Sequence, residues 1–306
     1  MLLLACGAGA APVTLADGVW LVPGGMAPGR QPDGNSVLFD GPDGTVAVDS
    51  GRHVEHTMAL LAATGARPLR ALVNTHWHLD HLGGNLLLRR QLPELRVYAS
   101  AAVAQALAGW LADSRRQMQG LLADAGTDAA TRQMLAIDIA LIDAGPMLLP
   151  DVVLSGPREI GDAGRPLQIG FEAGAVTAGD LWLFDPRSRV LAAGDLVTLP
   201  VPFFDTACAP RWSAALARVE AVDFERLVPG HGPVLSRADF QRYRLAFDGL
   251  LTCAAGSATA EACTQGWIDA LGPLLPAADE RTARGMLGYY VKQHLRAAPA
   301  QRDRFC

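Results

Sequence analysis

Lysine is almost missing from this chain. Of 26 basic residues, 25 are arginine and Lys292 alone is lysine. Lys292 falls in a predicted C-terminal helix with no glycine-rich loop before it, which argues against Schiff-base chemistry and against a P-loop. Charge is sparse: 19% of residues are charged and the net charge is −5. No basic stretch is long enough to follow a phosphate backbone, so nucleic acid is not an expected partner. No apolar run reaches the roughly 18 residues of a membrane span. Histidine is scarce as well, with 7 in 306 residues, so a cluster of histidines carries weight. What is present is apolar: 50% of residues are hydrophobic. That excludes disorder for the chain as a whole and leaves one large domain or two small ones.

The five cysteines are Cys6, Cys208, Cys253, Cys263 and Cys306. The stretch Leu3-Leu4-Ala5-Cys6-Gly7 resembles a bacterial lipoprotein box with Cys6 as the lipid-anchor residue. A charged n-region is missing, which places the true start upstream. Residues 1–17 are therefore read as a signal or lipoprotein remnant, against an apolar end with a chance cysteine. The expected location is periplasmic or lipid-anchored at the cell envelope, with the cytoplasm as the alternative. Cys253 and Cys263 could close a small disulfide in an oxidising compartment, and Cys208 could pair with Cys306. The competing reading leaves all of them as free thiols.

Short β-rich runs occupy 18–23, 35–39 and 44–49. A helix is expected over 54–65, a buried strand over 69–73, a helix over 85–91 and a strand over 96–99. Apolar residues at three- and four-residue spacing predict helix through 100–143. Strands return at 152–154, 166–171, 180–184, 189–193 and 225–228. Helices are expected at 212–221 and 236–250, and along the tail from 261 to about 297. This order suggests two sheets, each covered by helices.

Residues 76–81 read His76-Trp77-His78-Leu79-Asp80-His81, followed by Gly83-Gly84-Asn85. Imidazoles and a carboxylate form a ligand set for first-row metals, and zinc suits them well. The segment leaves a buried strand, so alternate side chains can fan toward two neighbouring points.

The HxHxDH run followed by Gly-Gly-Asn resembles the metallo-β-lactamase superfamily, which implies a four-layer αββα sandwich. The resemblance makes further demands. Val190–Asp195 is a strand ending in Gly-Asp, and Asp195 matches a metal-bridging aspartate. Pro229-Gly230-His231-Gly232 matches the segment carrying a late histidine ligand. Val46–Gly51 matches an early Asp-x-Gly, in which Asp49 orients the histidine loop. One demand fails: in Ala175–Asp180, Val176 stands where the family places a third histidine, and no histidine lies between His81 and His231. His53, His56 and His294 are read as surface or helix-face residues.

The resemblance therefore implies metal ligands His76, His78, Asp80, His81, Asp195 and His231. One or two zinc ions are expected, and the first site, served by His76 and His78, is weak. The expected activity is hydrolysis of an ester, thioester, lactone or amide carbonyl in a small-molecule substrate. Metal-activated hydroxide would be the nucleophile, and Asp80 would orient water and pass on a proton. The finer resemblance is to the quinoprotein relay system type of zinc metallohydrolase. Two alternatives remain: a catalytically impaired binding protein on the same fold, and a mononuclear iron persulfide-type dioxygenase. Trp77, Phe203, Phe204 and Trp212 are candidate substrate-pocket walls, with ordinary core packing as the competing reading. Residues 18–250 are expected to form the main domain, with a helical insert at 100–143 that either roofs the site or extends a helix layer. Residues 251–306 form a helical extension.

Overall fold

Alternating apolar runs, each interrupted by glycine, proline or aspartate, fold into thirteen short strands and eleven α-helices among the described residues. The structure is a computed structural model and describes residues 11–25 and 29–306. Cys6 and most of the lipoprotein-like segment lie outside the described residues. The chain divides into two compact units, one ending at Leu167 and the other covering Gln168–Cys306.

The first unit contains β1 (Val13–Ala16), β2 (Val19–Val22), β3 (Ser36–Gly41), β4 (Gly44–Val48), α1 (Val54–Thr64) and β5 (Leu69–Val73). There follow α2 (Leu79–Leu82), α3 (Asn85–Gln91), β6 (Arg96–Ser100), α4 (Ala102–Ala108), α5 (Trp110–Ala123), α6 (Ala129–Asp143), β7 (Val152–Leu154) and β8 (Arg158–Ile160). Strands β1 to β7 form one sheet in sequence order. Its first four strands are antiparallel, with short turns between β1 and β2 and between β3 and β4, whereas β4 through β7 run parallel. Parallel neighbours require crossovers, and α1, α3 and the α4–α6 insert supply them. Every residue of β4 is buried, as expected for a strand covered on both faces. Leu38, Ala47, Leu60, Leu72 and Val97 form one apolar cluster, and Trp77, Val103, Leu111 and Leu141 belong to another beneath the insert.

The second unit contains β9 (Leu167–Glu172), β10 (Asp180–Asp185), β11 (Val190–Thr198), α7 (Ala209–Glu220), β12 (Arg226–His231) and β13 (Leu235–Ser236). It ends with α8 (Arg237–Ala255), α9 (Ala260–Leu271), α10 (Glu280–Tyr290) and α11 (Pro299–Arg302). The second sheet has the order β13-β12-β11-β10-β9-β8. Ser236 and Asp239 form a capping box that starts α8, each side chain satisfying the other's backbone N–H. The C-terminal helices are not a separate layer. Cys263, Trp267, Leu287 and Tyr290 share one apolar core with Trp212, Phe240 and Phe247 of α7 and α8. Disulfides join Cys208 to Cys306 and Cys253 to Cys263. No helix among the described residues is long and apolar enough to cross a membrane.

Candidate metal centre

Strand β5 ends at Val73, and the chain then turns through the histidine loop into α2. A loop has no ladder to hold it, so its backbone groups must find other partners. Buried side chains provide them. Asn74 and Asn85 exchange amide hydrogen bonds of 3.2 and 2.7 Å, and Ser50 donates to Asn85 at 2.8 Å. The His81 carbonyl accepts from the Ser50 N–H at 2.8 Å.

Asp49 is the hub. Its Oδ1 accepts from the Thr75 N–H at 2.7 Å, and its Oδ2 accepts from the Thr75 hydroxyl at 2.8 Å. Oδ2 also lies 2.7 Å from His81 Nδ1. An ionised carboxylate only accepts, so Nδ1 of His81 carries a proton, and in the neutral ring Nε2 then has the lone pair. The Thr75 hydroxyl spends its one O–H on the hydrogen bond to Asp49, so its oxygen accepts from His76 Nδ1 at 2.9 Å. Nε2 of His76 is then also a lone-pair nitrogen. One carboxylate thus sets the tautomers of two imidazoles in the form a metal requires. The His76 ring lies 4.4 Å from that of His78 and 4.3 Å from that of His81. Asp80 Oδ2 is 3.9 Å from His81 Nε2.

Space for His81 comes from Gly34. A Cβ at that position would lie 2.4 Å from His81 Cε1, so only glycine fits. The Gly34 N–H donates to the Asp80 carbonyl at 2.9 Å.

In the second unit the candidate ligands sit on neighbouring strands, Asp195 within β11 and His231 at the end of β12. Strands β11 and β12 are parallel, with irregular register around Gly194. Asp195 follows that irregularity and His231 ends β12. Asp195 Oδ1 is 3.6 Å from His231 Nε2. A Cβ on Gly230 would lie 1.9 Å from Asp195 Oδ1, so this glycine vacates the space the carboxylate fills. Beneath them Tyr243 accepts from the Thr198 N–H, and burial pushes its phenol far up, keeping it neutral.

The loop of Val176 is tied down by Asp180, whose carboxylate accepts from the N–H groups of Ala175, Val176 and Thr177. The Val176 carbonyl accepts from Thr206 Oγ1 at 3.0 Å. Its side chain is fully buried and belongs to the second unit's apolar core.

Residues 29–231 match the family described as the metallo-beta-lactamase superfamily, which is more than half of the chain. The chain belongs to the metallo-beta-lactamase superfamily. A hydroxyacylglutathione hydrolase of Thermosynechococcus vestitus is 45% identical over 65 residues, covering 21% of this chain and 25% of that protein. A linear primary-alkylsulfatase of a Pseudomonas species is 23% identical over 219 residues, covering 65% of this chain and 41% of that protein. The chain thus spans about a quarter of the length of the hydroxyacylglutathione hydrolases it matches. Among solved structures, a metallo-beta-lactamase from Pontibacter korlensis superposes with TM-score 0.58 at 21% identity, covering 78% of this chain and 98% of that one. The metallo-beta-lactamase FIM-1 from Pseudomonas aeruginosa, in its mono-zinc form, gives 0.54 at 18% identity, covering 78% and 95%. These likenesses establish the metallo-beta-lactamase fold, a mixed α/β architecture of two sheets with helices.

The donors of this superfamily member fit a metal. Histidine and aspartate groups able to hold one are present, with His76, Asp80 and His81 in the first unit and Asp195 and His231 in the second. Nitrogen lone pairs with fixed tautomers, carboxylates, and glycines that leave room for both are what such a centre needs.

The surface half of one expectation is corrected: His53 and His56 are buried, His53 at the N-cap of α1 and His56 on that helix. The Asp33 carboxylate lies 2.8 Å from His53 Nδ1 and also accepts from the N–H groups of Arg52 and His53. Burial raises the Asp33 pKa, but these hydrogen bonds outweigh it and hold the carboxyl below its ordinary value. His56 lies 2.8 Å from Ser36 Oγ, and burial pushes its pKa down. His294 is partly exposed and pairs with Asp205 at 3.2 Å. Among the candidate pocket walls, Trp212 and Phe204 are core residues: Trp212 is fully buried, donates its indole N–H to the Leu196 carbonyl and packs on Phe247. Phe204 stacks on the same Phe247. Trp77 is buried between His78 and Trp110, and Phe203 is half-buried against Tyr290. Arg52, Asp33 and Gly34 were not anticipated as part of the site. The segment Asp49-Ser50-Gly51-Arg52-His53 offered the only signal, an arginine and a histidine three and four residues after the early aspartate.

Proposed function

We propose that the histidine loop, Asp195 and His231 supply the metal ligands and that the protein is a zinc-dependent hydrolase. His76 and His78 would serve a first site, Asp80, His81 and His231 a second, with Asp195 between them. The observation that carries this reading is the Asp49 hub, which leaves Nε2 of both His76 and His81 as acceptors inside a buried loop. When bound, the metal supplies an activated water and positive charge for polarising a carbonyl. Asp80 would orient that water and would take up and return a proton at a carboxylate oxygen. The substrate class is an ester, thioester, lactone or amide. The hydrolase relatives named above support it, and the segments around Asp195 and His231 favour the quinoprotein relay type.

Val176 offers no donor atom, and its isopropyl group is core material. The first site is therefore weaker, by analogy with the about 10–100-fold loss seen when supporting groups are removed. Elemental analysis of the native protein tests this: one tightly held equivalent is expected, rising to two in Val176→His. Purified protein with no zinc, manganese or iron would sink the proposal. The Val176 substitution also favours a second reading, a silent binding protein. Hydrolysis that appears only in Val176→His would support that reading. A coloured, iron-loaded protein would instead support the dioxygenase alternative. Both disulfides support an oxidising compartment such as the periplasm, with Cys6 as a possible lipid anchor. A thiol titration on protein isolated from cells checks the first point, and mass spectrometry of the N-terminus the second.

A further inference from the structure

Arg52 is a buried cation between two buried carboxylates. Its side chain is 9% exposed, and those of Asp80 and Asp138 are each 10% exposed. Nη1 donates to Asp138 Oδ1, and Nη2 stands 3.7 Å from Asp80 Oδ1. The backbone of Arg52 is fixed separately, because its N–H donates to Asp33 Oδ1 at 2.7 Å. Guanidinium position is thus determined at both ends, by the Asp33 loop and by α6 of the helical insert.

The two oxygens of Asp80 face different neighbours. Oδ1 is turned toward Arg52, while Oδ2 is turned toward Nε2 of His81, the nitrogen left with a lone pair. A carboxylate free to rotate about its χ2 torsion exchanges these oxygens readily. A fixed, always-charged guanidinium on one side removes that freedom. Removing it would leave Asp138 buried without its cation, and the insert would lose its polar tie to the site.

We propose that Arg52 is a positioning residue that commits Asp80 Oδ2 to the metal centre, and that Asp138 makes the helical insert part of this device. The inference rests on the reading of Asp80 as a ligand. The insert is then neither a roof nor an added layer alone: through Asp138 its docking sets the aim of a ligand two contacts away.

The test is metal titration of the whole purified chain, with zinc affinity read by competition against a chromophoric chelator. The ligand-field spectrum of the cobalt-loaded protein provides a second readout. Arg52→Ala is expected to weaken the tighter site by about 10–100-fold and to alter the cobalt spectrum. Arg52→Lys should recover part of both, since a point charge restores attraction but not the fork. Asp138→Asn should shift both readouts in the same direction by less. In an Asp80→Asn background, Arg52→Ala should add less than about threefold, because its route to the metal is gone. If Arg52→Ala fails to fold, Arg52→Lys and Asp138→Asn decide the matter by the same readouts. Folded variants with affinity and spectrum like the parent overturn the inference. So does full additivity of Arg52→Ala with Asp80→Asn. A parent protein that takes up no metal instead overturns the reading of the site, which is a distinguishable result.

Discussion

The two units hold their candidate ligands by different physics. In the first unit the ligands lie on a loop after β5, and buried polar groups keep them there: Asp49, Ser50, Asn74 and Asn85, with Arg52 behind Asp80. In the second unit Asp195 lies within β11 and His231 ends the parallel β12, and the sheet register and an apolar core position them. A loop must be wired by hydrogen bonds, each directional and each exposed to failure if one partner changes. Residues carried by strands inherit their place from the sheet. The difference explains where the departure from the family pattern fell. Val176 sits in the core-held half, where an apolar side chain is at home. Nothing comparable would be tolerated at His81, which is wrapped by acceptors.

The comparison can be broken from either side. Every cysteine of the described residues lies in the second unit, so reduction should act there first. The Cys208–Cys306 disulfide spans 98 residues and Cys253–Cys263 spans 10. Chain entropy then gives losses of about 4–5 kcal/mol for Cys208→Ala and about 2–3 kcal/mol for Cys253→Ala. Urea unfolding followed by Trp212 and Trp267 fluorescence checks the order. A larger loss in Cys253→Ala would show that native packing, and not loop closure, decides it.

Next in size is Asp49→Asn. An amide places a donor where the carboxylate accepted, facing the Thr75 hydroxyl and His81 Nδ1. The expected cost is about 3 kcal/mol, with loss of metal uptake. Denaturation of metal-free protein separates the stability effect from the ligand effect.

Two glycine substitutions sharpen the contrast further. Gly34→Ala intrudes on the His81 ring and Gly230→Ala on the Asp195 carboxylate. Each should cost about 1–3 kcal/mol by overpacking. Gly34→Ala should also disturb the histidine tautomers, visible in imidazole nitrogen NMR, while Gly230→Ala should leave those resonances in place.

The smallest effect is one of pH. Burial depresses the His56 pKa below its ordinary value of 6.5, so the unfolded chain takes up this proton first as pH falls. The contribution is complete above 6.5 and is lost as pH falls through the folded-state value. Asp33, also depressed, adds a loss in the acid range below its ordinary 3.8. Urea midpoints measured from pH 8 to 5 should therefore decline, and the His56→Gln variant should show a flatter profile. An unchanged slope in that variant would assign the decline elsewhere.

Much of this was legible in the primary structure. Strands such as β4, β5 and β6 are apolar runs between turn residues, and α3 matches its expected span of 85–91. The insert was read as one helical stretch, but Gly109 and the Asp124–Asp128 turn divide it into α4, α5 and α6. Strands β1, β8 and β13 have only two to four residues, too few for a period to show. The cysteine spacing leaves Cys208 with Cys306 as one option beside free thiols, and the structure joins them.

Residue order alone carried the candidate ligand chemistry: imidazoles and carboxylates in a dense run, a Gly-Asp after a strand, a late Pro-Gly-His-Gly, and a valine where the resemblance expects a histidine. Those are local patterns, and local patterns survive in one dimension. Tertiary structure alone decided that Asp49 directs two tautomers, that Arg52 faces Asp80 from one side and Asp138 from the other, and that His53 and His56 are buried. These depend on partners 20 to 86 residues apart. No composition or periodicity encodes them, because burial and hydrogen-bond partners exist only once distant strands have packed.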